Sequence, residues 1–149
     1  MTLEERLVAD LREAAKKGDA TRRSALRLVL AEKQNAEKAK GAPLDESAVM
    51  DVLAREVRQH RESITEFTRG NRQDLADKEQ AELAVLLEYM PEQMSREEVV
   101  AAARQVIEQV GARGPGDKGK VMSQLMSQVK GKADGREVSD AVTELLSQL

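Results

Sequence analysis

The chain has no cysteine, no tryptophan, one histidine, three prolines and only two aromatic residues, Phe67 and Tyr89. Without cysteine there is no disulfide, no thiolate nucleophile and no cysteine-ligated zinc ribbon. One imidazole, His60, allows no histidine dyad or metal triad. With so few aromatics the interior must be built from Leu, Val, Ala and Met, the materials of helix packing and not of a β-sandwich. Stacking on unpaired bases is not expected for the same reason. No run of about eighteen apolar residues is present, so no segment reads as membrane-spanning. The opening MTLEERLVADL has neither the basic start nor the apolar stretch of a secretory signal, and a cytoplasmic location is the expectation.

What is present is charge, unevenly spread. The net charge is −3 over 149 residues, and 34% of the residues are charged. Residues 1–40 carry ten Lys/Arg against seven Asp/Glu, and residues 41–94 carry six against twelve. Residues 95–149 balance at eight each, but Gly111–Arg136 holds six cations against two carboxylates. Segregation of this kind steers local contacts even where the whole is acidic.

Apolar residues recur at helical spacing along most of the chain, and the fold class is all-α. Leu3, Leu7, Leu11 and Ala14 give a first helix over 3–17, stopped by Gly18. Asp19 is placed to cap a second over 20–39, with Leu26, Val29, Leu30 and Ala36 inward. After Gly41-Ala42-Pro43, Asp45 opens a long third helix to Arg69, striped by Val49, Leu53, Val57, His60, Ile64 and Phe67. Asn71 is an expected N-cap for a fourth over 72–89, with Leu75, Glu79, Leu83, Leu86, Leu87 and Met90 on one face and Pro91 beyond it. Four helices on short connections fit either a bundle or extended hairpins.

A second unit follows. Ser95 with Glu98 spells a capping box ahead of Val99, Val100, Ala103, Val106, Ile107 and Val110. The loop 111–116 leads to a short helix that Asp117 can cap, with Val121, Met122, Leu125, Met126 and Val129 inward. Gly131 closes that helix, and Asp134 can cap a last one striped by Val138, Ala141, Val142, Leu145, Leu146 and Leu149. The expected organisation is an N-terminal helical domain of about four helices, 1–94, and a small three-helix domain, 95–149.

Gly114–Lys120 fits the spacing of a phosphate loop, G-x-x-x-x-G-K. Val121 stands where that motif requires Ser or Thr, and no strand precedes it, so the glycines read as turn formers that admit close helix packing. His60 lies on an apolar stripe and reads as a packed or interfacial side chain. Asp74, Asp77, Glu79 and Glu82 read as a water-exchanging helix face, and Ser24 and Ser63 lack an evident base. No catalytic residue, cofactor or metal site is expected. Met122 and Met126 read as core gap-fillers. The chemistry-bearing group is Lys118, Lys120, Lys130, Lys132 and Arg136, beside glycine turns whose N–H groups favour phosphate oxygens. Arg22, Arg23 and Arg27 offer a second patch.

Several segments carry a family likeness. They are Glu66-Phe67, Asn71-Arg72, Asp74-Leu75 and Asp77-Lys78; Tyr89-Met90-Pro91-Glu92-Gln93-Met94-Ser95; Gly119-Lys120-Val121-Met122; and Val129-Lys130-Gly131-Lys132-Ala133-Asp134-Gly135. In this order, over essentially the full length, the chain resembles the YqeY family, which shares a domain with the tail of the GatB subunit of glutamyl-tRNA amidotransferase. The resemblance implies an all-helical fold with a small three-helix tail domain, and contact of that domain with the outer body of tRNA. It attaches a carbon–nitrogen ligase label with glutamine as donor, but this chain lacks the large catalytic portion of that subunit. Gly119, Lys120, Gly131, Lys132 and Gly135 match the tail motif, and none brings a catalytic role with it.

Three readings follow. One is a noncatalytic tRNA-binding or tRNA-amidation accessory protein. A second is a helical adaptor docking a protein partner through the exposed apolar or acidic surface of residues 41–94. A third is a subunit of an amidotransferase-like assembly that leaves the chemistry to other chains.

Overall fold

Seven α-helices and one 3₁₀ turn make up the computed structural model, which describes residues 1–149. The chain divides into two units, Met1–Met90 and Pro91–Leu149.

In the first unit, helix limits follow from local chemistry. Helix α1 (Leu3–Lys17) starts where Thr2 Oγ1 accepts the Glu5 N–H and ends at Gly18, whose φ of 74° suits glycine. Helix α2 (Ala20–Lys40) is capped by the Asp19 carboxylate on the Arg22 N–H. Helix α3 (Glu46–Arg69) is capped by Asp45 on the Ala48 N–H. Helix α4 runs Gln73–Leu87. The α2 helix packs against α1, α3 and α4, which settles the arrangement as a bundle. Leu7, Leu26, Val29, Leu53 and Leu86 are fully buried at its centre. Burying each such side chain is worth about 1.5–3 kcal/mol.

Two helix ends differ from the sequence reading. Asn71 does not cap α4; it takes a left-handed φ of 59°, a conformation its short polar side chain tolerates. The chain is then held by the Arg72 N–H on Phe67 O at 2.8 Å, so Arg72 occupies the cap position without a side-chain bond. At the other end α4 stops at Leu87 and not Tyr89. The N–H groups of Glu88, Tyr89 and Met90 bond the carbonyls three residues back, a tightened turn ahead of Pro91.

The second unit holds α5 (Arg96–Val110), the 3₁₀ turn (Pro115–Asp117), α6 (Lys118–Val129) and α7 (Gly135–Ser147). The capping box forms: Ser95 Oγ accepts the Glu98 N–H, and Glu98 Oε1 accepts the Ser95 N–H, both at 3.2 Å. Asp134 caps α7 through the Arg136 N–H. Val99, Ala103, Val106, Val121, Leu125, Val129, Val138, Val142 and Leu146 form the core, with Met122 and Met126 partly buried against it. The segment ahead of α5 straps the α6–α7 turn: Gln93 Nε2 donates to Gly131 O and the Met94 N–H to Lys132 O, both at 2.8 Å.

Candidate nucleic-acid interface

The basic residues of the second unit sit at the two ends of α6. Lys118 and Lys120 lie in its first turn, Lys120 exposed and Lys118 half-buried. Lys130 and Lys132 follow its last turn, and Arg136 stands in the first turn of α7, all three exposed. A helix rises about 1.5 Å per residue, so α6 separates the two groups by about 17 Å.

At the start of α6 the expected Asp117 cap is not made. Asp117 ends the 3₁₀ turn at φ −96°, ψ 8°, outside the extended conformation of a capping residue, and its carboxylate accepts the Arg113 N–H at 2.8 Å instead. The glycines here also differ from expectation. A Cβ added at Gly114, Gly116 or Gly119 would meet nothing within 4 Å, so none of them admits a packed helix. Gly119 is helical, exposed and unconstrained by any neighbour, a position where glycine costs stability relative to alanine. Gly131 is the opposite case, with a φ of 76° that closes the α6 end. A Cβ at Gly135 would make ordinary contact with Met126 Cε at 3.9 Å.

The three arginines of α2 are not equivalent. Arg22 is engaged: its Nη2 lies 2.8 Å from Glu88 Oε2, its Nε 3.6 Å from Asp19 Oδ2, and its Nη1 donates to the Tyr89 hydroxyl at 3.3 Å. Arg23 and Arg27 are exposed, one helical turn apart.

Sequence reasoning missed a buried polar cluster in the first unit. Glu82 is not a water-exchanging side chain; it is 4% exposed, like His60, because α4 packs that face against α2 and α3. His60 Nδ1 lies 2.8 Å from Glu56 O, while Nε2 sits 3.5 Å from Glu79 Oε2 and 3.6 Å from Glu82 Oε1. Ser24 Oγ donates to Glu82 Oε1 at 3.3 Å. Glu56 is buried one turn away, and desolvation pushes its carboxyl up, against the pull of His60. The available signal was the Glu on the α4 apolar stripe, opposite a stripe carrying the sole histidine. No group of three or more His, Asp or Glu side chains is arranged to hold a metal ion, and no helix is long and apolar enough to cross a membrane.

Comparison with known proteins completes the picture. Residues 4–146 match the family described as Yqey-like protein. The chain is 32% identical over 147 residues to altered inheritance of mitochondria protein 41, mitochondrial, of Pyrenophora tritici-repentis, covering 95% of this chain and 79% of that protein. The protein of the same name from Kluyveromyces lactis is 34% identical over 131 residues, covering 86% and 67%. That from Eremothecium gossypii is 38% identical over 85 residues, covering 56% and 46%.

Proposed function

We propose, from the premise that the chain belongs to the YqeY-like family, that it is a noncatalytic tRNA-binding or tRNA-amidation accessory protein whose second unit contacts RNA phosphates. One observation carries this reading: an exposed, unconstrained Gly119 between Lys118 and Lys120, at a helix start without a side-chain cap. The preceding 3₁₀ turn takes the Lys118 N–H onto Pro115 O, so what this helix start offers an anion is the partial positive charge of the helix, a glycine that lets it approach the backbone, and the full charge of two lysines.

The second unit contains no aromatic residue, so the contact reads RNA shape and backbone, not base identity. The buried His60–Glu82 pair does not serve as an acid–base site in this reading, since each side chain is 5% exposed and out of a substrate's reach. A cytoplasmic setting is part of the proposal; the word mitochondrial belongs to the names of the fungal relatives.

Titration of the full chain with tRNA from low to physiological salt tests it, with an acidic helical protein as control. Saturable binding that weakens steeply with salt is expected. Lys120→Glu with Lys132→Glu should lower affinity by about tenfold or more while far-UV circular dichroism is unchanged. Equal affinity in that variant removes these lysines from the interface. Absence of binding even at low salt overturns the RNA reading and directs the search to a protein partner.

A further inference from the structure

The basic turn between α6 and α7 stands at an electrostatically awkward place. Lys130 and Lys132 follow the C-terminal end of α6, where a helix carries partial negative charge and its last carbonyls lack intrahelical partners. A phosphate drawn there by lysine meets acceptor oxygens, which repel it. In this chain those acceptors are taken. Val129 O receives the N–H groups of Lys132 and Ala133 at 2.8 and 3.2 Å. Gly131 O receives Gln93 Nε2, and Lys132 O receives the Met94 N–H, both at 2.8 Å. Gln93 Nε2 also donates to Pro91 O at 3.0 Å, folding its own segment onto the turn. Both of its partners are acceptors, and an amide nitrogen has two hydrogens to serve them.

Lys132 is held from two sides: its N–H by α6 and its carbonyl by the strap, while its side chain is exposed. Glu92 and Glu98 line the same hollow as Lys132, and Glu98 is engaged by the Ser95 N–H. With carboxylates in that hollow, the anchorage of Lys132 decides whether its ammonium is offered outward or drawn back. We infer, resting on the RNA reading above, that Gln93 is a positioning residue for the phosphate contact: its amide clamps the α6–α7 turn so that Lys132 faces a phosphate with the neighbouring carbonyls covered.

A double-mutant cycle on the full chain, read by tRNA affinity against salt, tests the inference. Gln93→Met keeps the length of the side chain and removes the donor. It should lower affinity toward that of Lys132→Ala and reduce the salt slope by up to about 0.9. On a Lys132→Ala background it should change affinity by less than about twofold, whereas on Lys120→Ala, at the other end of α6, its full effect should persist. Amide exchange supplies a readout independent of RNA: the Met94 N–H should be protected in the wild type and exchange about two- to tenfold faster in Gln93→Met. Gln93→Lys, which returns a donor, should restore that protection. Far-UV circular dichroism should be unchanged throughout, as should the urea transition followed by fluorescence of Tyr89, the sole tyrosine, in the first unit. Wild-type binding with equal losses on both backgrounds, or with no loss in Gln93→Met, overturns the positioning role alone. Absence of wild-type binding overturns the RNA reading and this role with it. A wild-type Met94 amide that exchanges as fast as open chain overturns the clamp whatever tRNA does.

Discussion

Tyr89 donates its hydroxyl hydrogen to Asp10 Oδ2 across 2.6 Å, tying the turn after α4 to the middle of α1. Arg22 donates to the same hydroxyl, and the Arg6 guanidinium lies 5.0 Å from the ring centroid. The one tyrosine of the chain is thus spent on closing the first unit. Burial, and next the bond to Asp10, push the phenol up to about 12.

Tyr89→Phe should therefore destabilise the first unit by about 1–2 kcal/mol, because it leaves Asp10 and Arg22 without their shared partner. Far-UV circular dichroism in urea measures this, since the variant lacks the fluorophore. In the wild type, ultraviolet titration should show ionisation delayed to about 12. The sign follows from the raised phenol: its stabilising share is intact below the ordinary tyrosine range and disappears as pH rises toward the folded value. Ionisation at the ordinary value would show that the hydroxyl is not held.

Two glycines of the second unit should respond oppositely to alanine. Gly131→Ala forces a side chain into left-handed backbone and should cost about 1–2 kcal/mol. Gly119→Ala enters open space on a helix and should gain up to about 1 kcal/mol. The proposed function adds a second readout, since Gly119→Ala should weaken tRNA binding while raising Tm. A variant that is more stable and binds equally well would show that the backbone at Gly119 is not approached.

The two cationic ends of α6 can be separated by salt dependence. Replacing Lys118 and Lys120 by alanine, or Lys132 and Arg136, should each reduce the slope of log affinity against log salt by about 1.8 if both members neutralise a duplex phosphate. A pair whose loss leaves the slope unchanged lies outside the footprint.

Core truncations should cost about 2–5 kcal/mol in the unit that contains them. Leu53→Ala should shift the tyrosine-detected transition, since Leu53 is fully buried among α1–α4. Leu125→Ala, buried among α5–α7, should leave that transition in place and appear in circular dichroism alone.

The fold was largely legible because its signals are local. Apolar spacing marks the stripe from Val49 to His60, Asp19, Asp45 and Ser95 cap as their types imply, and Gly18 and Gly131 stop their helices. Asn71 misled because the same short polar side chain suits both a cap and a left-handed residue, and a neighbouring glycine does not tell the two apart. Asp117 misled because a 3₁₀ turn redirected its carboxylate. The cluster at His60 was legible only in part: Glu79 stands on the apolar stripe of α4, but it is the facing of α3 and α4 that brings Glu79 and Glu82 to one ring nitrogen. The basic residues were legible as a set; their division between the ends of α6 is a matter of helix length.

The interiors described for residues 1–90 and 91–149 have no buried residue in common. Each is solved as its own packing problem, so a change that spoils one leaves the other's jigsaw intact. Each unit therefore carries a core drawn wholly from its own stretch of chain, as a domain does.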